Sequence, residues 1–351
     1  MKRTIVFCII LIFSIKISLS QIGGHYTYQF LELNNSAVAA ALGGKVIANP
    51  TSLQLIYYNP ALLDSTKHKN LSISYKNYFA GINLGDFTYA IKLKHYGNLA
   101  FGVHYINYGK FDHYDEQQTY LGQFSASEIA PYLTYSYAFD SVLTFGLNLK
   151  PVFSALQNYR SFGYAIDIGL LIHASKNSYF AVAARNIGKQ VKAYSSQIEP
   201  LPFNLTAGFT GKFEHSPFRF NFTLDYLNYW KFRYISPIDN FSTTTTDTTS
   251  GLWTKINNIT DEILRHAHLG LELILNPKFR FMLGYNFRRV RELNLPTINT
   301  FSGISAGFLF QTSKIDISYA YERYLTSAVH TFGLGLHFDK FIFRHAKQPQ
   351  D

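Results

Sequence analysis

The decapeptide FRFMLGYNFR, residues 279–288, alternates without a break. Its odd positions are Phe279, Phe281, Leu283, Tyr285 and Phe287; its even positions are Arg280, Met282, Gly284, Asn286 and Arg288. A period of two marks a β-strand, whose successive side chains leave on opposite faces. One face of this strand is aromatic and aliphatic, while the other carries arginine, asparagine and glycine. In a soluble sandwich the apolar face would be core and the other face solvated. In a membrane barrel the apolar face would meet lipid and the other would line a lumen.

Working outward, the same pattern recurs in VLTFGLNLK (142–150), FGYAIDIGL (162–170) and FRFNFTLDY (218–226), and again in IDISYAYE and TFGLGLHF near the C-terminus. Fourteen such segments are expected, starting near residues 71, 86, 98, 125, 142, 161, 178, 203, 217, 266, 278, 303, 314 and 328. The small residues decide between sandwich and barrel. A solvated sheet face would carry Lys, Glu and Thr, whereas here the less apolar face is rich in Gly, Ala, Ser and Asn, which suits a crowded lumen. Tyr105, Tyr108, Tyr226 and Tyr229 gather toward strand ends, where an interfacial girdle would lie.

Connections give an independent test. Tight ones fall at Gly97-Asn98, Asp140-Ser141, Ser175 to Asn177, Glu214 to Pro217, Asn276-Pro277 and Thr312-Ser313. Longer ones fall between them, at 109–124, 188–202, 227–265 and 290–302, with 156–160 and 324–327 as shorter members. This sorting predicts short periplasmic turns and long extracellular loops, and an even strand count places both termini in the periplasm. Pro131 interrupts a strand and is expected to mark a bulge.

Composition agrees. Aromatic residues make up 17% of the chain, and charged residues 15% against about 25% in ordinary soluble domains. Residues 1–20 read as a secretory signal peptide, with Lys2 and Arg3 before an apolar run and Ser18 and Ser20 at cleavage spacing. Its removal takes Lys2, Arg3 and Lys16, so the formal charge falls from +10 to +7. The only cysteine, Cys8, goes with it, which excludes disulfides and thiol chemistry from the mature chain. That mild charge suits an anionic lipid surface, and no basic block points to nucleic acid. Beyond the signal, no continuous apolar run could span as a helix, leaving strands as the way across a membrane.

Residues 21–68 do not alternate. SAVAAALGG predicts a short helix stopped by Gly43 and Gly44 after Leu42, and Asn59, Pro60 and Ala61 predict a turn into a second short helix. This segment is read as a plug inside the lumen, since its apolar residues need burial; a periplasmic extension is the alternative. The barrel itself is assigned to 69–338 and a periplasmic tail to 339–351.

ALGG followed by NPALL resembles the N-terminal hatch of the FadL-type barrel superfamily. GGHYTYQFLELNNSAVAAALGG, SYKNYFAGINLGDFTYA, FGVHYINYGKFDHYDE with FSASE, and LKPVFSALQNYRSFGYAIDIG resemble its PorV/PorQ branch. The match rests on their order and density, and is strongest before about residue 215. The resemblance implies a fourteen-stranded FadL-like outer-membrane barrel in the type IX secretion machinery of Bacteroidota. The implied role is to hold a PorZ-like surface protein in the attachment complex with PorU and PorV, where secreted cargo is joined to lipopolysaccharide.

The candidate sites follow from position. The longest loop carries Tyr229, Trp230, Phe232, Tyr234 and Trp253, the aromatic anchors that protein interfaces use; a loop folded on the barrel rim is the plainer reading. Arg280, Arg288, Glu272 and Asp316 are expected in the lumen, among charges that pair with one another. His266, His268 and Glu272 share a face, and lumen hydrogen bonding outweighs metal ligation for them. No phosphate-binding glycine loop, nucleophile elbow or clustered Ser/His/Asp set is present, so neither an enzyme nor a cofactor is expected. The whole predicts an all-β transmembrane antiparallel barrel of about 14 strands with a short, partly helical N-terminal plug, acting as a surface anchor. The rival is a FadL-like transporter of hydrophobic molecules, which would need an apolar pocket between plug and wall.

Overall fold

The computed structural model describes residues 26–230, 259–293, 302–325 and 327–340. The alternating segments are strands: β1 (Asn70–Asn77), β2 (Asn83–Lys92), β3 (Asn98–Tyr114), β4 (Tyr120–Ala138), β5 (Leu143–Leu156), β6 (Tyr159–Ser175) and β7 (Ser178–Lys192) form the first half. β8 (Asn204–Lys212), β9 (Phe218–Leu224), β10 (Ala267–Asn276), β11 (Phe279–Asn286), β12 (Ile304–Gln311), β13 (Ile315–Arg323) and β14 (Ala328–His337) form the second. Each pairs antiparallel with its sequence neighbours, and β14 pairs with β1 to close a fourteen-stranded barrel. Closure leaves no ladder edge between first and last strands, which is what lets strands cross a bilayer.

In β11, Phe281 and Leu283 face outward while Met282, Gly284 and Asn286 are buried inside. The strand ends at Asn286, however. Asn286 caps a short helix, α2 (Phe287–Glu292), its Oδ1 accepting the Arg289 N–H at 2.9 Å. Phe287 and Arg288 therefore leave the ladder instead of completing the alternation. Leu283, mid-strand and 43% exposed, sits where lipid belongs. We expect Leu283→Arg to cost about 2–4 kcal/mol in reversible unfolding from lipid; an unchanged unfolding midpoint would contradict this facing.

Three further expectations are corrected. The stretch 109–124 is mostly strand: β3 continues beyond its last β2 pair, Asn107↔Asn83, and β4 begins before its first β5 pair, Ala126↔Leu156. The result is a two-stranded ribbon rising about 20 Å above its neighbours at 3.3 Å per residue, with Phe111 stacked on Phe124 at 5.3 Å. Pro131 makes no bulge. The β4–β5 pairing lapses between Ile129↔Phe153 and Leu133↔Leu149 with the same register on either side, since a missing N–H removes a bond without adding a residue. Tyr108 and Tyr226 are not girdle residues either: the Tyr108 hydroxyl donates to Glu128 Oε2 at 2.5 Å, and the Tyr226 ring lies beneath the Lys45 ammonium.

The chain from residue 26 runs down the bore. It starts at the long-loop end, where the Thr27 N–H donates to Pro200 O and Tyr28 bonds Ser161. It then forms helix α1 (Ala37–Ala41) and several 3-10 turns, and reaches the short-turn end at Lys69, where β1 starts. Phe338–Lys340 follow β14 at the short-turn end. The described chain thus begins and ends at opposite mouths. Counting strands alone places both ends on one side; the plug's own traverse of the bore is the extra crossing. The signal segment 1–20 and most of the tail 339–351 lie outside the described residues.

Candidate functional site

The plug is built from backbone-hungry small residues and held by caps. Ser36 Oγ accepts the Ala39 N–H at 3.2 Å to start α1, and Gly43 and Gly44, both at positive φ, end it. Asn59 Oδ1 accepts the Ala61 N–H at 3.0 Å, while its Nδ2 donates to Ile47 O at 2.8 Å, so one side chain turns the chain and ties two plug segments. Pro60 opens the following 3-10 turn, where its missing N–H costs nothing. The apolar residues of the segment, Val38, Leu42, Ile47, Leu55, Ile56 and Leu62 among them, form one buried cluster with wall residues of the lumen.

Where plug meets wall, backbone touches backbone. A Cβ on Gly146 of β5 would overlap Ala61 N and the Pro60 carbonyl, and one on Gly284 of β11 would overlap Gly43 N. These glycines are required by close approach. Gly43 O also accepts from His268 Nδ1 at 2.9 Å and Asn286 Nδ2 at 3.2 Å. Leu42, Gly43, Gly44, Asn59, Pro60 and Ala61 lie against the wall, and Tyr28, Ala41, Ile47 and Gln54 meet other wall glycines in the same way.

Charge locks the same contact. Lys45 Nζ sits 2.7 Å from Glu32 and 2.8 Å from Asp225. Glu32 also meets Arg185 at 3.1 Å and accepts from the Asn186 and Asn204 amides, each at 2.6 Å. Burial alone would raise the Glu32 carboxyl, but the Arg185 and Lys45 cations outweigh it and hold its pKa below the ordinary value. Lys150 pairs with Asp167 at 2.7 Å, and Asn49 reaches Glu272 at 2.6 Å. Lys76 and Arg289 share Glu322.

The lumen residues expected from sequence fall as follows. Glu272 takes Arg219 at 3.0 Å and stands 3.9 Å from Arg280. Asp316 takes His337 at 3.0 Å. Arg288 lies on α2, its guanidinium 4.8 Å from the Tyr226 ring centre. His266 Nδ1 lies 2.6 Å from Asp225 O and His268 Nδ1 bonds Gly43 O, so these rings do not converge with Glu272. Among the described residues no group of three or more metal-type ligands comes together. On the rim, Trp230 is 52% exposed and donates its indole N–H to Leu227 O, while Tyr229 is buried at 7%. Phe232, Tyr234 and Trp253 lie outside the described residues.

Arg185 was not visible as a site residue. Between Ile166↔Ile187 and Ile168↔Ala184 the β6–β7 register slips, and Arg185 and Asn186 both turn inward, Asn186 at φ 58°. A bulge of this kind breaks the period of two on which facing is read. Its product is two adjacent side chains aimed at Glu32.

The comparisons with known proteins bear on this architecture. A solved structure of the Pseudomonas putida toluene transporter TodX aligns over 88% of this chain and 98% of its own, at 13% identity and a TM-score of 0.52. A deltaS2 mutant of the TodX monoaromatic hydrocarbon channel gives 88%, 97%, 14% and 0.51. A Pseudomonas aeruginosa FadL homologue covers 87% of this chain and 98% of its own at 9% identity, with a TM-score of 0.46. The chain shares the closed-barrel fold of TodX. No protein-family model matches the chain, and no curated protein sequence does. These likenesses concern fold.

Proposed function

We propose that the protein is a non-enzymatic outer-membrane anchor of PorQ type, holding a PorZ-like surface protein beside PorU and PorV in a type IX attachment complex that joins cargo to lipopolysaccharide. The observation that carries this reading is the filled bore. The plug crosses it end to end, and cavities of about 370, 410 and 230 Å³ among the described residues are lined by lysines, carboxylates and amides together with apolar side chains such as Leu62, Leu63, Leu84 and Leu309. A barrel closed in this way acts through its long loops, taken here as extracellular.

The comparisons favour a second reading more than the first. The TodX structures sharing this fold are described as a toluene transporter and a monoaromatic hydrocarbon channel. On that reading this chain passes hydrophobic molecules, and the plug must move for it to do so. Photo-crosslinking in native outer membranes separates the two, with the probe at Trp230 and a control in the tight turn at Asp140. A discrete surface-protein adduct at Trp230, absent from the control, is expected of the anchor. Lipid adducts alone, together with an apolar compound extracted from the purified barrel, would sink the anchor and support the transporter.

A further inference from the structure

The inward face of β1 is polar throughout: Asn70, Ser72, Ser74 and Lys76 are all buried. The four residues touch three cavities in order. Asn70 and Ser72 line the 230 Å³ cavity at the short-turn end, Ser74 lines a small one of about 10 Å³, and Lys76 lines the 370 Å³ cavity at the long-loop end. The plug residues opposite follow the same order, with Gln54 shared by the first two cavities, Asn35 in the second and Asn34 in the third. Alternate residues of a strand lie about 7 Å apart, so the three cavities succeed one another along a seam about 20 Å long.

Along this seam lie buried polar atoms that no protein group satisfies. They include Asn34 Nδ2, both side-chain polar atoms of Asn35, and Asn70 Oδ1. At the two ends, Arg280 Nε and Nη1, Asp316 Oδ1 and Arg289 Nη1 join them. Buried donors and acceptors in folded proteins take a partner from the protein or from water. The set here mixes donors and acceptors, which water matches and an anion or cation alone does not. The smallest of the three cavities, beside Ser74, has room for about one water molecule.

We propose that the β1–plug seam is a water-filled file that lets water cross the barrel while excluding solutes the size of urea or glycerol. The seam is independent of any surface partner, so the proposal stands or falls apart from the anchor reading. It also gives Arg280 a role: its guanidinium, only 3.9 Å from a carboxylate already held by Arg219, is solvated from the short-turn end of the file.

The test is stopped-flow osmotic shrinkage of vesicles containing the full mature barrel. Water permeability above that of empty vesicles is expected, with urea and glycerol permeabilities unchanged. Ser74→Leu, which fills the constriction, should remove the increment while the barrel stays folded by heat-modifiable mobility. Asn35→Leu serves as a second block, since the Asn35 side chain makes no protein hydrogen bond to lose. Wild-type vesicles indistinguishable from empty ones would overturn the proposal. So would an increment that survives both leucines, or one shared by urea and glycerol.

Discussion

Gly146→Val will unseat the plug. Position 146 faces inward on β5, and its missing Cβ leaves room for the backbone of Pro60 and Ala61. A side chain there meets peptide atoms, which cannot rotate aside as a flexible side chain can. Overpacking a fitted interior costs about 1–3 kcal/mol, and here the strain falls on the contact between two rigid pieces. Gly85→Val is the matched control: position 85 has nothing within 4 Å of its would-be Cβ. The control should stay within about 0.5 kcal/mol of wild type. In Gly146→Val, limited proteolysis should cut the plug and planar-bilayer recordings should show a conducting bore. Equal behaviour of the two variants would mean the plug does not depend on this seat.

How much of this was legible in the sequence depends on how far each feature reaches. Facing within a strand is local, so Gly146 and Gly284 could be placed on the lumen side from a period of two alone. The turn at Asn59-Pro60-Ala61 was legible for the same reason, since cap and proline act within three residues. That these two features touch was not legible, because it depends on how deeply the plug sits. The bulge at Arg185 and Asn186 escaped because an extra residue breaks the very period used to assign facing. Tyr226 misled for a related reason. Just past the end of β9, at φ 54°, it follows the turn inward, and an aromatic at a strand end looks the same from sequence whether it meets lipid headgroups or a lysine. The pairing of lumen charges likewise needs the registers of several strands and the plug together. Glu32 bonds residues from β7, β8 and the plug, and no spacing rule connects these.

Arg185→Leu should be among the most damaging single changes in the barrel. Its guanidinium is fully buried, 3.1 Å from Glu32, donates to Leu31 O at 3.1 Å, and lies over the rings of Tyr57 and Tyr58. Removing one partner from a buried ion-pair cluster costs about 3–5 kcal/mol, here leaving Glu32 and Asp225 to share the single cation of Lys45. Lys340→Ala, which breaks an exposed pair with Asp339, should cost about 0–1 kcal/mol. Unfolding in urea from the same lipid checks both. The pH dependence is a sharper readout. In the wild type Glu32 has a lowered pKa, so its stabilisation is present above the unfolded carboxylate pKa and is lost as pH falls through the folded value. Arg185 is the larger of the two cations that lower it, so without Arg185 the folded pKa rises and the loss begins at higher pH. Arg185→Leu should therefore move the acid-unfolding midpoint upward as well as weaken the barrel at neutral pH. Adding Glu32→Leu should restore part of the stability, because it removes one of the two carboxylates left sharing Lys45, which keeps Asp225. If the double variant is no more stable than Arg185→Leu alone, the bulge supports the barrel by packing, and the plug is held by its glycine seats.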